Sequence, residues 1–383
     1  MPDKILRVGI IGCGEVAQVS HIPNFNFMPH KFEVTYLCDV SQTSLHHCRD
    51  MVRGANVPQT TKNPEELCAS PDVDVVLICT ADEYHVYHGC MALRNDKWTL
   101  IEKPLAQSFR DLEILLEAER KSKGKVFVGT MRRYAPAFLE AVEEVGGMEE
   151  IMYARVRSII GPNYNFINQS CTFPVGAVSD IAKEDLEDRK RRHDDIMEQA
   201  LAKEFGVAVT EASIRQLKIL GSLNTHDLSA MREIIGMPTR VLGASLGFPG
   251  IYTALLQYPT FPCTFESGIN SVPTFDANIE VYSQNKIVKI QYDTPYVKGL
   301  PVTMTVREKV PSLTRDDADG FQERVVRKTY EDPFSLEMLE FWECVVNGKS
   351  VKSSAEDARG ELELWRMILK AGEHTYNTKQ MHC

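Results

Sequence analysis

Short, continuously apolar runs alternate with segments of helical apolar spacing over the first third of the chain. Ile5–Ile11, Phe32–Cys38, Val73–Cys79, Trp98–Ile101 and Lys125–Gly129 read as strands. Runs this apolar, without alternation, belong to strands covered on both faces, as in a parallel sheet flanked by helices. Between them, a segment from about Glu15, then Glu83–Leu93 and Leu112–Lys121, read as helices. This rhythm predicts an α/β fold over residues 1–130, a doubly wound parallel sheet.

From about Glu150 the pattern changes. Over Ile151–Ile159, Met152, Ala154 and Val156 fall on one face and Tyr153, Arg155 and Arg157 on the other. Val241–Phe248, Tyr252–Gln257, Thr264–Ile269, Asn278–Tyr282 and Lys286–Gln291 continue as short strands, with Ser283-Gln284-Asn285 as a hairpin turn. A large open, mostly antiparallel sheet is expected over residues 131–383. Phe334–Val346 and Ala355–Ala371 read as closing helices, the first stopped at Asn347-Gly348. Residues 162–216 look like an insertion. Within it, Asp180–Phe205 reads as a charged, solvated helix laced by i,i+4 pairs, and the insertion as a lid or a subunit contact.

The net charge of −10 argues against a general nucleic-acid or anionic-membrane binder. No apolar run approaches the ~20 residues that span a bilayer. Met1–Leu6 leads directly into the first strand, and Gln380-Met381-His382-Cys383 matches no lipidation or peroxisomal signal. The ten cysteines form no CxxC pair. A reduced, cytoplasmic location is the expectation. His46-His47-Cys48, and His85 with His88, read as ordinary helix residues, so no metal is expected.

Gly12-x-Gly14-x-x-Ala17 follows a strand and opens a helix. Gly12 permits the tight turn, Gly14 lets the backbone approach a pyrophosphate, and Ala17 allows helix and strand to pack. The helix start at Glu15 and Val16 favours the anion. Asp39, at the end of the second strand, is the acid expected to accept hydrogen bonds from the adenosine ribose hydroxyls, with capping of the next helix as its alternative role. Val40 and Ser41 supply no cation for a 2′-phosphate. NAD is expected over NADP.

The chain resembles the Gfo/Idh/MocA family, the glucose–fructose oxidoreductase and inositol dehydrogenase group. The resemblance rests on Val8–Gly14, Thr80–His85, Glu102-Lys103-Pro104, Gly129–Tyr134, His226–Gly236, Phe341–Gly348 and Ser353–Asp357. It implies a Rossmann domain, then an α/β substrate and oligomerisation domain whose last helices pack back on the first. It also implies a homodimer or homotetramer, and hydride transfer between a nicotinamide and a sugar, polyol or derivative. Lys103 and His226 fall on the family's catalytic lysine and histidine. Chemistry agrees: oxidising a secondary alcohol needs a group that takes the hydroxyl proton, and an ammonium in a water-poor site gives up its own proton readily. A histidine on the same oxygen can relay that proton.

Glu102, Thr80 and His85 fall on the cofactor side by the same resemblance. Of Arg132 and Arg133, one is expected to reach the cofactor or an anionic substrate and the other to form an ion pair. Arg132 is assigned to the cofactor and Arg133 to the substrate, with Tyr164 as a further substrate contact. The family often has aspartate four residues before the histidine; here Ser222 stands there, with Asn224 as a partial substitute. Two other functions stay open: an NAD-dependent enzyme without net redox, cleaving or epimerising sugars, and a catalytically silent dinucleotide-binding regulator.

Overall fold

The computed structural model describes residues 4–247, 250–312 and 318–375. Phe248, in one of the expected strands, and the tail Gln380–Cys383 lie outside them. Contacts divide the chain into two compact units. The first comprises residues 1–130, 167–209 and 334–362, and the second 131–166, 210–333 and 363–383.

In the first unit six strands, β1 (Leu6–Ile11), β2 (Phe32–Cys38), β3 (Gln59–Thr61), β4 (Val75–Ile78), β5 (Trp98–Glu102) and β6 (Val126–Gly129), form one sheet in the order β3-β2-β1-β4-β5-β6. Every pairing is parallel. This is the dinucleotide-fold order, with its reversal between β1 and β4. The connecting helices are α1 (Ile22–Phe27, preceded by a π-helical turn Ala17–His21), α2 (Gln42–Met51), α3 (Pro64–Ala69), α4 (His85–Arg94) and α5 (Phe109–Lys121). β3 went unpredicted because Gln59-Thr60-Thr61 is polar: an edge strand buries little and shows no apolar run.

In the second unit α6 (Pro136–Gly146), α7 (Asn163–Ile167), α9 (Glu211–Ile219) and α10 (Thr225–Ile235) accompany an eight-stranded sheet. α8 (Lys183–Met197) belongs to the first unit. The strands are β7 (Ile151–Ile160), β8 (Arg240–Ser245), β9 (Ile251–Gln257), β10 (Pro262–Ile269), β11 (Phe275–Ser283), β12 (Lys286–Tyr292), β13 (Thr303–Pro311) and β14 (Asp319–Val326). Their order is β14-β13-β12-β11-β7-β10-β9-β8. All pairings are antiparallel except β7 with β10.

In β7, Ala154, Val156, Ser158 and Ile160 are buried, while Met152, on the same face at the strand's start, is exposed. β9 alternates cleanly: Tyr252, Ala254 and Leu256 are buried, and Ile251 and Leu255 face out. α6 and α10 pack on the inner face. β14 is exposed along nearly its whole length, which left it without an apolar signature. The chain closes with α11 (Pro333–Asn347) and α12 (Ala358–Gly372), and Gly348, at φ +70°, ends the first as its stop signal predicts.

Candidate functional site

β1 is buried almost throughout and delivers the chain to Gly12. Gly12 has φ +98°, and a Cβ there would lie 2.5 Å from the Cys79 carbonyl carbon, so β4's end leaves room for glycine only. At Gly14 a Cβ would meet nothing within 4 Å. The backbone is open there, as close approach of a pyrophosphate requires. Glu15 and Val16 begin the helical turn that Ala17, fully buried, packs against the sheet. The glycine turn therefore fits a dinucleotide on its own geometry.

Asp39 ties this turn to the next helix. Oδ2 accepts the Cys13 N–H at 2.7 Å and Oδ1 accepts the Ser41 N–H at 2.8 Å. Burial raises its carboxyl above the ordinary value, although the Ser41 and Cys13 amides oppose the rise. The capping alternative is corrected: the cap of α2 is Ser41, whose hydroxyl accepts the Ser44 N–H at 3.1 Å. Gln18, which the sequence did not single out, donates from Nε2 to the Cys13 carbonyl at 2.7 Å and so stitches the turn from inside.

At the ends of β4 and β5 the remaining candidates of this unit gather. Thr80 is half-buried, with Oγ1 3.4 Å from His88 Nδ1. His85 is a brace: Nδ1 lies 2.7 Å from the Pro104 carbonyl oxygen and Nε2 2.9 Å from that of Thr80. His88 stacks on Tyr84, and burial lowers its pKa to about 3. Glu102 is buried and meets His21 Nε2 at 2.7 Å. Burial pushes the Glu102 carboxyl up, but the hydrogen bond from His21 together with the nearby charges of His21, Lys103 and His85 outweighs it and leaves the group below its usual value. Lys103 follows, half-buried, joined to Pro104 by a cis peptide. His21 also escaped the sequence reading. Its turn also carries the polar Gln18 and Ser20, so nothing in the local pattern sets it apart.

In the second unit, His226 sits in the first turn of α10, half-buried. Asp227 beside it is buried and paired with Arg132, whose guanidinium also lies over the rings of Tyr292 and Phe275. Burial raises the Asp227 carboxyl and Arg132 opposes the rise. Arg133 is equally buried and donates to Glu233 at 2.6 Å. Both arginines, read as cofactor and substrate contacts, thus have carboxylate partners on α10. Asn224 donates from Nδ2 to the Ser267 hydroxyl. Ser222 and Tyr164 are exposed.

The charged helix α8 differs from a plain solvated face. It carries i,i+4 pairs such as Lys183–Glu187. Its other side docks on the turn before α4: Asp188 accepts the Tyr84 hydroxyl at 2.9 Å, and Arg189 meets Glu83 at 3.2 Å. Just beyond it, Glu204 caps α5 by accepting the Phe109 and Arg110 N–H groups.

Residues 6–130 match the family model described as an oxidoreductase family with an NAD-binding Rossmann fold. This domain belongs to the Gfo/Idh/MocA family. An inositol 2-dehydrogenase of Paracoccus denitrificans is 32% identical over 165 residues, 42% of this chain and 48% of that protein. A myo-inositol 2-dehydrogenase of Thermotoga maritima is 27% identical over 140 residues, 37% of this chain and 40% of that protein. The chain thus matches less than half the length of these curated relatives. The fold extends further. A UDP-N-acetylglucosamine 3-dehydrogenase of Acidithiobacillus ferrooxidans superposes with TM-score 0.69 at 14% identity, covering 97% of this chain and 99% of that one. A 3-ketoreductase of Actinomadura kijaniata, solved with NADP, gives TM-score 0.68 at 17% identity, covering 96% and 98%.

Proposed function

We propose that this protein is an NAD-dependent oxidoreductase that moves a hydride between the nicotinamide and a carbinol carbon of a sugar, polyol or related compound, with Lys103 as acid/base. The observation that carries the reading is the place of Lys103 in the parallel sheet. It follows β5, two strands from the glycine turn after β1, so both lie at the carboxyl edge, where ligands of this fold bind. The polyol and sugar names of the relatives support the substrate class.

When bound, the nicotinamide supplies the hydride acceptor or donor. Gly12, Gly14, Glu15 and Val16 hold the pyrophosphate by backbone, and Asp39 accepts the ribose hydroxyls. Thr80 lines the cofactor side, where His85 and Glu102 act as braces. Lys103 takes the alcohol proton in oxidation and returns it to the carbonyl oxygen in reduction. His226 is assigned a second proton-handling role, and Ser222 and Tyr164 are assigned to substrate contact. The exposed apolar residues Leu242, Ile251 and Leu255 of the second sheet support a homo-oligomer formed through that face.

The test is reduction of NAD and NADP, followed by absorbance of the reduced nicotinamide, across aldoses, inositols, anhydrosugars and sugar acids. Turnover with NAD is expected. Lys103→Met should reduce it by about 10²–10⁴-fold while NAD binding by calorimetry stays within a few-fold. A Lys103→Met variant with full turnover sinks the lysine's role. Product formed without net nicotinamide reduction points to the non-redox chemistry instead.

A further inference from the structure

Asp180 comes from the 167–209 segment, far along the chain from the nucleotide-binding motif, and ends at the start of α2. Oδ1 accepts the Ser41 hydroxyl at 2.7 Å, and Oδ2 accepts the Thr43 N–H at 2.9 Å and its hydroxyl at 3.0 Å. One helix-start amide and two hydroxyls are a donor set that suits an anion. These donors follow directly on Asp39, the carboxylate assigned to the ribose hydroxyls. The same segment is tied down a second time, where the Val175 N–H donates to Gln18 Oε1 at 2.7 Å. Gln18 is the residue that stitches the glycine turn.

We propose that Asp180 is a cofactor-selecting residue: its carboxylate occupies the anion place at the start of α2 that the 2′-phosphate of NADP would need, so the site takes dinucleotides with a free 2′-hydroxyl. The inference rests on the reading of the glycine turn as a dinucleotide site. A 2′-phosphate would have to displace three hydrogen bonds and bring its charge beside both Asp39 and Asp180. A free hydroxyl does neither, and can still donate to Asp39. The Ser41 hydroxyl and the Thr43 amide hold the Asp180 carboxyl down to about 2, so it is ionised at neutral pH. The effect is one of selection and not of overall charge, because it depends on which donors are already occupied.

The test uses the full chain with Asp180→Ala, Asp180→Glu and the double variant Asp180→Ala/Ser41→Ala. Calorimetry reads the affinities for NAD, NADP, adenosine 5′-monophosphate and adenosine 2′,5′-bisphosphate. The wild type is expected to prefer NAD. Asp180→Ala should tighten NADP and the bisphosphate by roughly tenfold and leave NAD within about threefold. Asp180→Glu should keep the wild-type preference, and the double variant should lose part of the gain. Equal gains for NAD and NADP, an unmoved ratio, or a wild type that prefers NADP would each overturn the role of Asp180. A wild type that binds neither dinucleotide would overturn the site reading itself, and with it this inference.

Discussion

Nε2 of His21 lies 2.7 Å from one oxygen of Glu102, and the other oxygen of that carboxylate accepts the backbone N–H of Lys103 at 3.2 Å. An ionised carboxylate can only accept, so Nε2 of His21 carries the proton. The turn that follows the glycine loop is thus coupled to the strand end that presents the lysine. Under the proposed function Glu102 is assigned as a positioning residue, since its carboxylate touches the backbone of Lys103 and not the reacting atoms.

Replacing Glu102 by alanine leaves a buried imidazole N–H without its acceptor, which should cost about 1–3 kcal/mol in denaturant unfolding. The pH dependence has a definite sign. The folded carboxyl is held below its ordinary value of 4.5, so its stabilisation is present above that value and is lost as pH falls through the lower folded one. Glu102→Gln should therefore flatten the acid limb of the stability profile.

Asp39 behaves in the opposite sense. Its carboxyl is raised by burial, so it takes up a proton at higher pH than an ordinary aspartate. NAD affinity should fall as pH drops through that raised value, because the ribose hydroxyls lose an ionised acceptor. Asp39→Asn should weaken NAD binding by about 1.5–3 kcal/mol and remove the pH dependence, both read by calorimetric titration.

The two glycines of the turn separate folding from binding. Gly12→Ala puts a Cβ against backbone at 2.5 Å in a positive-φ conformation, and should destabilise the fold by about 3 kcal/mol or more. Gly14→Ala meets nothing within 4 Å, so stability should stay within about 0.5 kcal/mol. Its methyl group does fill the face where the pyrophosphate approaches, and NAD affinity should drop. Thermal unfolding beside calorimetry reads both.

Arg132→Met strands a buried Asp227 carboxylate. Loss of about 3–5 kcal/mol is expected in chemical unfolding. The double variant Arg132→Met/Asp227→Leu should recover much of it, which would mark the pair as structural support for α10. A single variant as stable as the wild type would contradict that account.

Much of the first unit was written in local pattern. Continuous apolar runs marked β1, β2, β4, β5 and β6, because strands covered on both faces have no polar register. The glycine spacing marked the turn, since only glycine tolerates the approach of Cys79 to Gly12. The places of Asp39 and Lys103, each just after a strand end, followed from the same runs.

What escaped was set by partners distant in sequence. β3 and β14 lie at sheet edges and bury too little to leave a signature. The sequence implies an ion pair for one of Arg132 and Arg133 and names no partner; the fold brings Asp227 against the first and Glu233 against the second. His21 meets Glu102, and Asp180 meets Ser41 and Thr43, each across a long stretch of chain. Hydrophobic period and turn chemistry are local properties, and the sequence by itself determined them. The pairing of charges and the occupation of a helix start depend on which segments meet, and only the tertiary structure decided those.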